Sequence, residues 1–305
     1  MLKFKKVRVF FNRRSGIGSS FMQVQTAFAK YWSGVSNDIA WYFPSSKDES
    51  DRLVDLAIAD GADCIIAGGG DGTIASIGKK LIGTNVCLGV IPLGSGNGMA
   101  RHFSQSMNPA NAVRELANST IVGMDVGYIN GHPFLVSASI AWESDMVDLY
   151  NRFPVRGVGS YVMAGIGSFF TYRSSETTIS IPGEADVTIK KPLLLTLGNL
   201  SGWGGGAFID VEASGCDGKL ELVYAETIYA PMMLAHINRV FETGLKSLPY
   251  VTMKKISSAK LVRNDAVPIQ LDGELVEAEK ELDISVKQNM LKILIPQNNC
   301  SDSVN

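Results

Sequence analysis

Apolar residues in the first 125 positions fall into two kinds of run that alternate along the chain. Short continuous runs, Val7–Phe11, Ile39–Phe43, Cys64–Ala67 and Val86–Ile91, are separated by longer stretches in which apolar residues recur at helical spacing. The spacing predicts helices over Ser20–Trp32, over a segment capped by Ser46 or Asp48 with Leu53, Val54, Ala57 and Ile58 on its inner face, and over Thr73–Leu81. Strands that are apolar throughout, rather than at every second position, belong to a parallel sheet covered on both faces.

After Asp125 the pattern changes to strands joined by short turns. Asn130-Gly131 is a type I′ hairpin signal between Val126–Ile129 and Pro133–Ser139. Further strand-like runs are Thr177–Ile181, Leu193–Leu197, Leu220–Tyr224, Lys260–Val262, Pro268–Leu271, Leu282–Val286 and Leu291–Ile295. Helical interruptions are expected at Glu143–Arg152, Ser160–Tyr172 and Pro231–Lys246, the last with a core-facing stripe of Met233, Leu234, Ile237, Val240, Phe241 and Leu245. The expected organisation is an α/β domain over 1–125, an antiparallel β domain over 126–296 whose last segment is free to return to the first domain, and a disordered tail over 297–305.

Composition narrows the class. A net charge of −2 in 305 residues gives no footprint for nucleic acid. Basic residues gather at the N-terminus (Lys3, Lys5, Lys6, Arg8, Arg13, Arg14) and read as a solubilising face. Cys64, Cys87, Cys216 and Cys300 show neither a redox pair nor zinc-ligand spacing, which fits a reducing cytoplasm with core thiols at Cys64 and Cys87. No apolar run approaches the roughly 18–20 residues that span a bilayer.

The chemistry sits in three loops that follow strands. Gly68-Gly69-Gly70-Asp71-Gly72-Thr73 lies between a buried run and a helix, the arrangement that brings backbone N–H groups and a helix N-terminus to phosphate oxygens. Bare phosphate would repel Asp71, so its presence implies Mg²⁺ or a hydroxyl proton nearby. Pro92-Leu93-Gly94-Ser95-Gly96-Asn97-Gly98 repeats the design after the next strand, and Asn12-Arg13-Arg14-Ser15-Gly16 follows the first. Loops at the carboxyl edge of neighbouring parallel strands are where open α/β sheets bind ligands.

These segments resemble the catalytic domain shared by diacylglycerol, sphingosine and ceramide kinases and their bacterial relatives. The resemblance rests on Asn12–Gly16 (with Arg13 where the family has proline), Gly69–Thr73, Pro92–Asn97, Asp125-Val126-Gly127, Asn199 with Gly204-Gly205-Gly206, Asp217-Gly218-Lys219-Leu220, and Asp272-Gly273-Glu274. It implies a Rossmann-like nucleotide-binding α/β domain, a β-sandwich domain, and ATP and Mg²⁺ in the cleft between them. It also implies a lipid substrate met at the membrane surface by a cytoplasmic or peripheral protein, with a homodimer left open.

By this resemblance Asp71, Asp272 and Glu274 are the catalytic candidates. Asp272 and Glu274 are two residues apart, which in an extended strand puts both on one face. Asn12, Arg14, Gly69, Gly70, Gly72, Thr73, Gly94, Ser95 and Asn97 would hold the nucleotide. Asp125, Asp217 and Asp272 are metal candidates, and Glu143 faces the acceptor.

The pattern departs from bacterial diacylglycerol kinases at Gly98, where they carry aspartate after the asparagine, and at Ser139–Ser144, where they carry Gly-x-Gly-Phe-Asp-Ala. Two alternatives remain open: a kinase for a soluble acceptor, such as an NAD kinase relative, and an inactive nucleotide-binding homologue.

Overall fold

A computed structural model of the chain describes residues 2–12, 19–152, 163–164, 167–168, 172, 174–204, 207–226 and 236–297. Two compact units emerge, Met1–Met124 with Gln288–Asn305, and Asp125–Lys287.

The first unit alternates β1 (Val7–Phe11), α1 (Ser19–Tyr31), β2 (Ile39–Tyr42), α2 (Lys47–Ala59), β3 (Cys64–Gly69), α3 (Asp71–Leu81), β4 (Cys87–Pro92), α4 (Gly98–His102) and α5 (Pro109–Ala117), then enters β5 (Ser119–Ile129). Strands β2, β1, β3 and β4 are neighbours in that order and all parallel. Every residue of β1, β3 and β4 is buried, as a sheet covered on both faces requires. One face packs against Val24, Phe28 and Trp32 of the α1 region, and the Trp32 indole N–H donates to the carbonyl of Val113 in α5 at 3.0 Å. Cys64 and Cys87 are register partners in β3 and β4 and are free buried thiols; burial pushes the Cys87 thiol up to about 11.

Local signals explain the helix starts. Ser46 caps α2 by accepting from the Glu49 amide at 3.2 Å, while the Glu49 carboxylate accepts from the Ser45 amide at 2.7 Å. Asn108 caps α5, with Pro109 in its first turn.

The basic N-terminus is not simply a solvated face. Arg8 is buried in β1 and bridges Asp38 (2.8 Å) and Asp60 (3.0 Å), and the amides of Lys5 and Lys6 donate to the Asp63 carboxylate.

The second unit contains the end of β5, β6 (His132–Phe134), β7 (Ser137–Ser139), α6 (Trp142–Arg152), β8 (Thr177–Ser180), β9 (Val187–Ile189), β10 (Pro192–Gly198), β11 (Gly202–Gly204), β12 (Ala207–Phe208), β13 (Leu220–Glu226), α7 (Ile237–Glu242), β14 (Thr252–Ile256), β15 (Ser258–Arg263), β16 (Ile269–Leu271), β17 (Glu274–Val276) and the start of β18 (Glu281–Pro296). One antiparallel sheet runs β14-β13-β10-β7-β16-β17. Its two faces enter different cores: Leu195, Leu197, Leu220 and Leu222 on one side, Leu194, Val223 and Ala225 with Trp142 and Met146 of α6 on the other. The β5–β6 hairpin turns at Asn130 (φ +48°) and Gly131 (φ +82°), the type I′ geometry expected of that pair.

Two expected elements differ. Leu282–Val286 and Leu291–Ile295 are parts of one strand, β18, because no glycine or proline separates them and Asn289 absorbs the irregularity at φ +54°. Its second half returns to the first unit, where Ile293 pairs with Leu88 of β4 in parallel. The helix expected over Pro231–Lys246 is shorter in its described part. It ends at Glu242, and Gly244 turns the chain at φ +86°, where a methyl group would lie 2.7 Å from the carbonyl oxygen of Ile209. Of its stripe, Val240 and Leu245 are buried but Phe241 is exposed. Residues 231–235, most of Ser160–Tyr172, Gly205, Gly206, Cys300 and the tail from 298 lie outside the described residues.

Candidate functional site

The ends of β1, β3 and β4 bring Asn12 and the two glycine loops together at one edge of the parallel sheet, while the rest of the first predicted loop lies outside the described residues. Asn12 leaves β1 with its amide N–H on the Gly68 carbonyl (2.9 Å), and its side-chain amide donates to the Thr73 hydroxyl at 3.2 Å. Leu93 leaves β4 with its amide on the Gly69 carbonyl at 3.0 Å. The two glycine loops then touch: a methyl group on Gly94 would lie 2.6 Å from the Cα of Gly70. Glycine at position 94 lets two backbones meet where a side chain would hold them apart.

Asp71 joins the loops chemically. It is the first residue of α3, and its carboxylate accepts from the Asn97 amide (2.9 Å) and the Gly98 amide (2.6 Å). It thereby serves as the N-cap acceptor of α4, which its own N-cap residue cannot supply. Asn97, held at φ +55°, turns its side chain back onto Gly94, accepting from that amide (2.9 Å) and donating to that carbonyl (2.8 Å). The side chain of Asn97, one of the expected nucleotide-binding residues, thus shapes its own loop. Ser95 is exposed on the same loop. Arg101, which the sequence analysis did not single out, donates from Nε to the Gly96 carbonyl at 2.8 Å and is exposed. Arg14 lies outside the described residues.

The N-terminus of α3 is built for an anion. Gly70 occupies its cap position in an extended conformation with no side-chain cap; the Thr73 amide donates back to the Gly70 carbonyl at 3.0 Å, and the amides of Asp71 and Gly72, which have no intrahelical acceptor, are the donors at this helix end. Backbone donors, a positive helix end and a small-residue cradle suit phosphate oxygens.

The second unit's motif residues hold backbone amides and carbonyls in place. Asp125 is buried and accepts from the Gly218 amide at 2.6 Å. Asn199 donates to the carbonyls of Asp125 and Leu135, both at 2.8 Å. Asp272 accepts from the amides of Leu135 (3.0 Å), Val136 (2.8 Å) and Ser137 (3.3 Å). Sequence spacing placed Asp272 and Glu274 on one face of an extended strand. In the structure Asp272 (φ +52°) and Gly273 (φ +87°) are the turn between β16 and β17, and Glu274 is exposed beyond it.

Asp217 accepts from the Lys219 amide and pairs with Lys255 at 3.1 Å. The same ammonium lies 3.3 Å from Glu221, whose buried carboxyl is raised above the ordinary range chiefly by desolvation. Burial, with the charges of Asp125 and Asp217, lifts the Cys216 thiol to about 11. The Lys255 ammonium thus faces both carboxyls of this acidic corner. Among the described residues no group of three metal-ligating side chains converges. Glu143 stands in the first turn of α6.

Comparison with known proteins gives this geometry a family. Residues 6–129 match the diacylglycerol kinase catalytic domain, and residues 137–295 match the YegS C-terminal NAD kinase beta sandwich-like domain. The chain is 26% identical over 304 residues to a "Diacylglycerol kinase" of Mycobacterium tuberculosis, covering 96% of each protein. It is 27% identical over 255 residues to a "Probable lipid kinase YegS-like" of Pseudomonas aeruginosa, covering 80% of each. A crystal structure of a diacylglycerol kinase from Bacillus anthracis str. Sterne has the same fold, with a TM-score of 0.76 at 16% identity over 98% of this chain and 100% of that one. Among the described residues no helix is long and apolar enough to cross a membrane. With an N-terminal parallel α/β unit and a C-terminal antiparallel β unit matched along nearly its whole length, the chain belongs to the family of bacterial diacylglycerol kinases and YegS-like lipid kinases.

Proposed function

We propose that the protein transfers the terminal phosphoryl group of ATP to a hydroxyl of a diacylglycerol- or sphingoid-type lipid. The observation that carries this reading is the junction of the two glycine loops, where Gly70 meets Gly94 and Asp71 binds the amides of Asn97 and Gly98. Phosphoryl transfer depends on positioning and charge neutralisation more than on covalent chemistry. The first-turn amides of α3, with Gly69, Gly72 and the Thr73 hydroxyl, are the groups to receive the donor's phosphates. Arg101 in α4 is a further candidate cation for the phosphates, besides Arg14 of the segment after β1.

Asp71 acts first as a positioning residue, because α4 and its loop hang from its carboxylate. Each of its oxygens keeps a lone pair for a water or hydroxyl proton. Mg²⁺, when bound with the nucleotide, would neutralise phosphate charge, and the water shell this ion prefers to keep is compatible with a single carboxylate nearby. Glu143 in α6 is the proposed acceptor-side residue. Asp272, Asn199 and Asp125 contribute by holding residues 135–137 and the Gly218 turn in place.

The test is transfer of labelled phosphate from ATP–Mg²⁺ to diacylglycerol, monoacylglycerol, sphingosine, ceramide and phosphatidylglycerol in mixed micelles, with NAD as soluble control. Label is expected in one lipid and lost in Asp71→Asn. Label in NAD alone, or in no acceptor despite bound ATP, overturns the reading.

A further inference from the structure

The second unit contains a cavity of about 260 Å³ whose walls are partly apolar (Ile140, Leu195, Val267) and whose polar side includes Arg263. Arg263 closes β15 opposite Thr177 of β8 and is only 2% exposed. Its Nη2 donates to the Glu279 carbonyl at 2.6 Å, but Nε and Nη1 have no hydrogen-bond partner among the described residues. No carboxylate pairs with it there. Burial depresses its pKa from the ordinary value, yet a guanidinium keeps its charge across the physiological range. A buried charge that lacks a partner is the costly case, because desolvation is not offset.

The hydroxyls of Thr177, Tyr172 and Ser144 donate to the carbonyls of Ser175 (3.0 Å), Pro192 (2.8 Å) and Ser139 (3.2 Å), and none of the three accepts from Nε or Nη1. With those protons directed at the backbone, the charged donors left at this wall belong to the guanidinium, and what completes them is an acceptor with negative charge. Asp145 also lines the cavity. Burial and then the nearby Asp148 raise its carboxyl above the ordinary range.

We propose that this cavity binds the acid end of an amphiphile, a carboxylate or phosphate monoester on an aliphatic tail, with Arg263 as its charge partner. Guanidinium groups recognise both acids by charge-assisted hydrogen bonds. The volume falls just under the roughly 300–1,000 Å³ of sites that enclose drug-sized ligands, so it takes an acid group and a short length of chain, not a two-chain lipid. The choice of an amphiphile rests on the lipid-kinase reading, whereas the oxyanion preference rests on Arg263 alone.

Calorimetric titration of the full chain with octanoate and octyl phosphate tests the site, with 1-octanol and inorganic phosphate as the tail-only and anion-only probes. Both acids are expected to bind saturably, and the two controls at least about tenfold more weakly. Arg263→Met is expected to weaken both acids by at least about tenfold while its unliganded melting temperature stays level or rises. A merely structural arginine would lower it. Val267→Trp, at the cavity's partly exposed wall, is expected to block binding with Arg263 intact. Asp71→Asn is expected to bind octanoate like the wild type, which separates this site from turnover. Absence of saturable binding, octanol binding as tightly as octanoate, phosphate binding as tightly as octyl phosphate, or unchanged binding in both cavity variants would overturn the proposal.

Discussion

Asp71 uses both carboxylate oxygens on the amides of Asn97 and Gly98, and Asp272 uses its own on the amides of Leu135, Val136 and Ser137. Replacing Asp71 by Asn turns one acceptor into a donor facing an N–H, at a cost of about 1–3 kcal/mol. Turnover is expected to fall by about 10²-fold or more while the chain stays folded. Rates within about threefold of wild type would remove Asp71 from the mechanism. Asp272 permits a cleaner separation of charge from shape. Asn tolerates the left-handed turn conformation and keeps one acceptor, whereas Ala loses all three bonds and strains the turn. Urea unfolding should therefore show Asp272→Ala destabilised by about 2–4 kcal/mol and Asp272→Asn by less than half of that. Equal stability of the Ala variant and wild type would contradict the bracing role. Sequence spacing could not reveal these roles. A run of Asp-Gly-Glu reads equally well as ligands or as a turn, and only the fold shows which backbone amides lie opposite.

The elements themselves were more legible. Continuous apolar runs marked β1, β3 and β4 because a doubly covered parallel sheet leaves no polar alternation, and Asn130-Gly131 marked its hairpin because few other pairs accept two positive φ angles. Helix α5 was not among the expected elements, although Asn108-Pro109 and the spacing of Ala112, Val113 and Leu116 announce it. The glycine loops were read as a phosphate cradle, but their mutual contact is a tertiary fact. It yields a paired test: a methyl group on Gly94 meets backbone at 2.6 Å, while one on Gly70 lies at an ordinary 3.4 Å. Gly94→Ala should cost about 1–3 kcal/mol and about 10²-fold in turnover, and Gly70→Ala much less of both. Equal effects would deny that loop contact organises the site. On the opposite side of the sheet order, Arg8 ties β1 to Asp38 and Asp60. Its hydrogen bonds hold both carboxyls below the usual range. Their contribution to stability is therefore fully present above about pH 4 and is lost as pH falls through the depressed folded-state values. The stability gap between wild type and Arg8→Met should shrink between about pH 4 and pH 2 in acid titrations followed by circular dichroism. A gap independent of pH would assign Arg8 a packing role only.

At the scale of the whole molecule, the chain passes from the first unit to the second inside β5 and returns inside β18. The first unit is thus assembled from distant parts of the sequence, and its sheet is finished by residues close to the C-terminus. Leu291, Ile293, Leu294 and Ile295 are all buried there, with Ile293 beside Leu88 of β4. Four such side chains supply roughly 6–12 kcal/mol by burial, at about 1.5–3 kcal/mol each. That is comparable to the entire stability of a typical domain, about 5–15 kcal/mol. Their removal also bares the β4 edge, with unpaired backbone groups that water must satisfy. A chain ending at Lys287 should therefore lose the first unit's cooperative unfolding, although every motif of the glycine loops remains. Limited proteolysis followed by mass spectrometry would read this directly, with cleavage sites appearing across residues 19–117 in the shortened chain and not in one ending at residue 297. If the shortened chain instead keeps protease resistance over β1 to α5 and still binds ATP, the first unit is self-sufficient and the returning strand is an addition to a finished sheet.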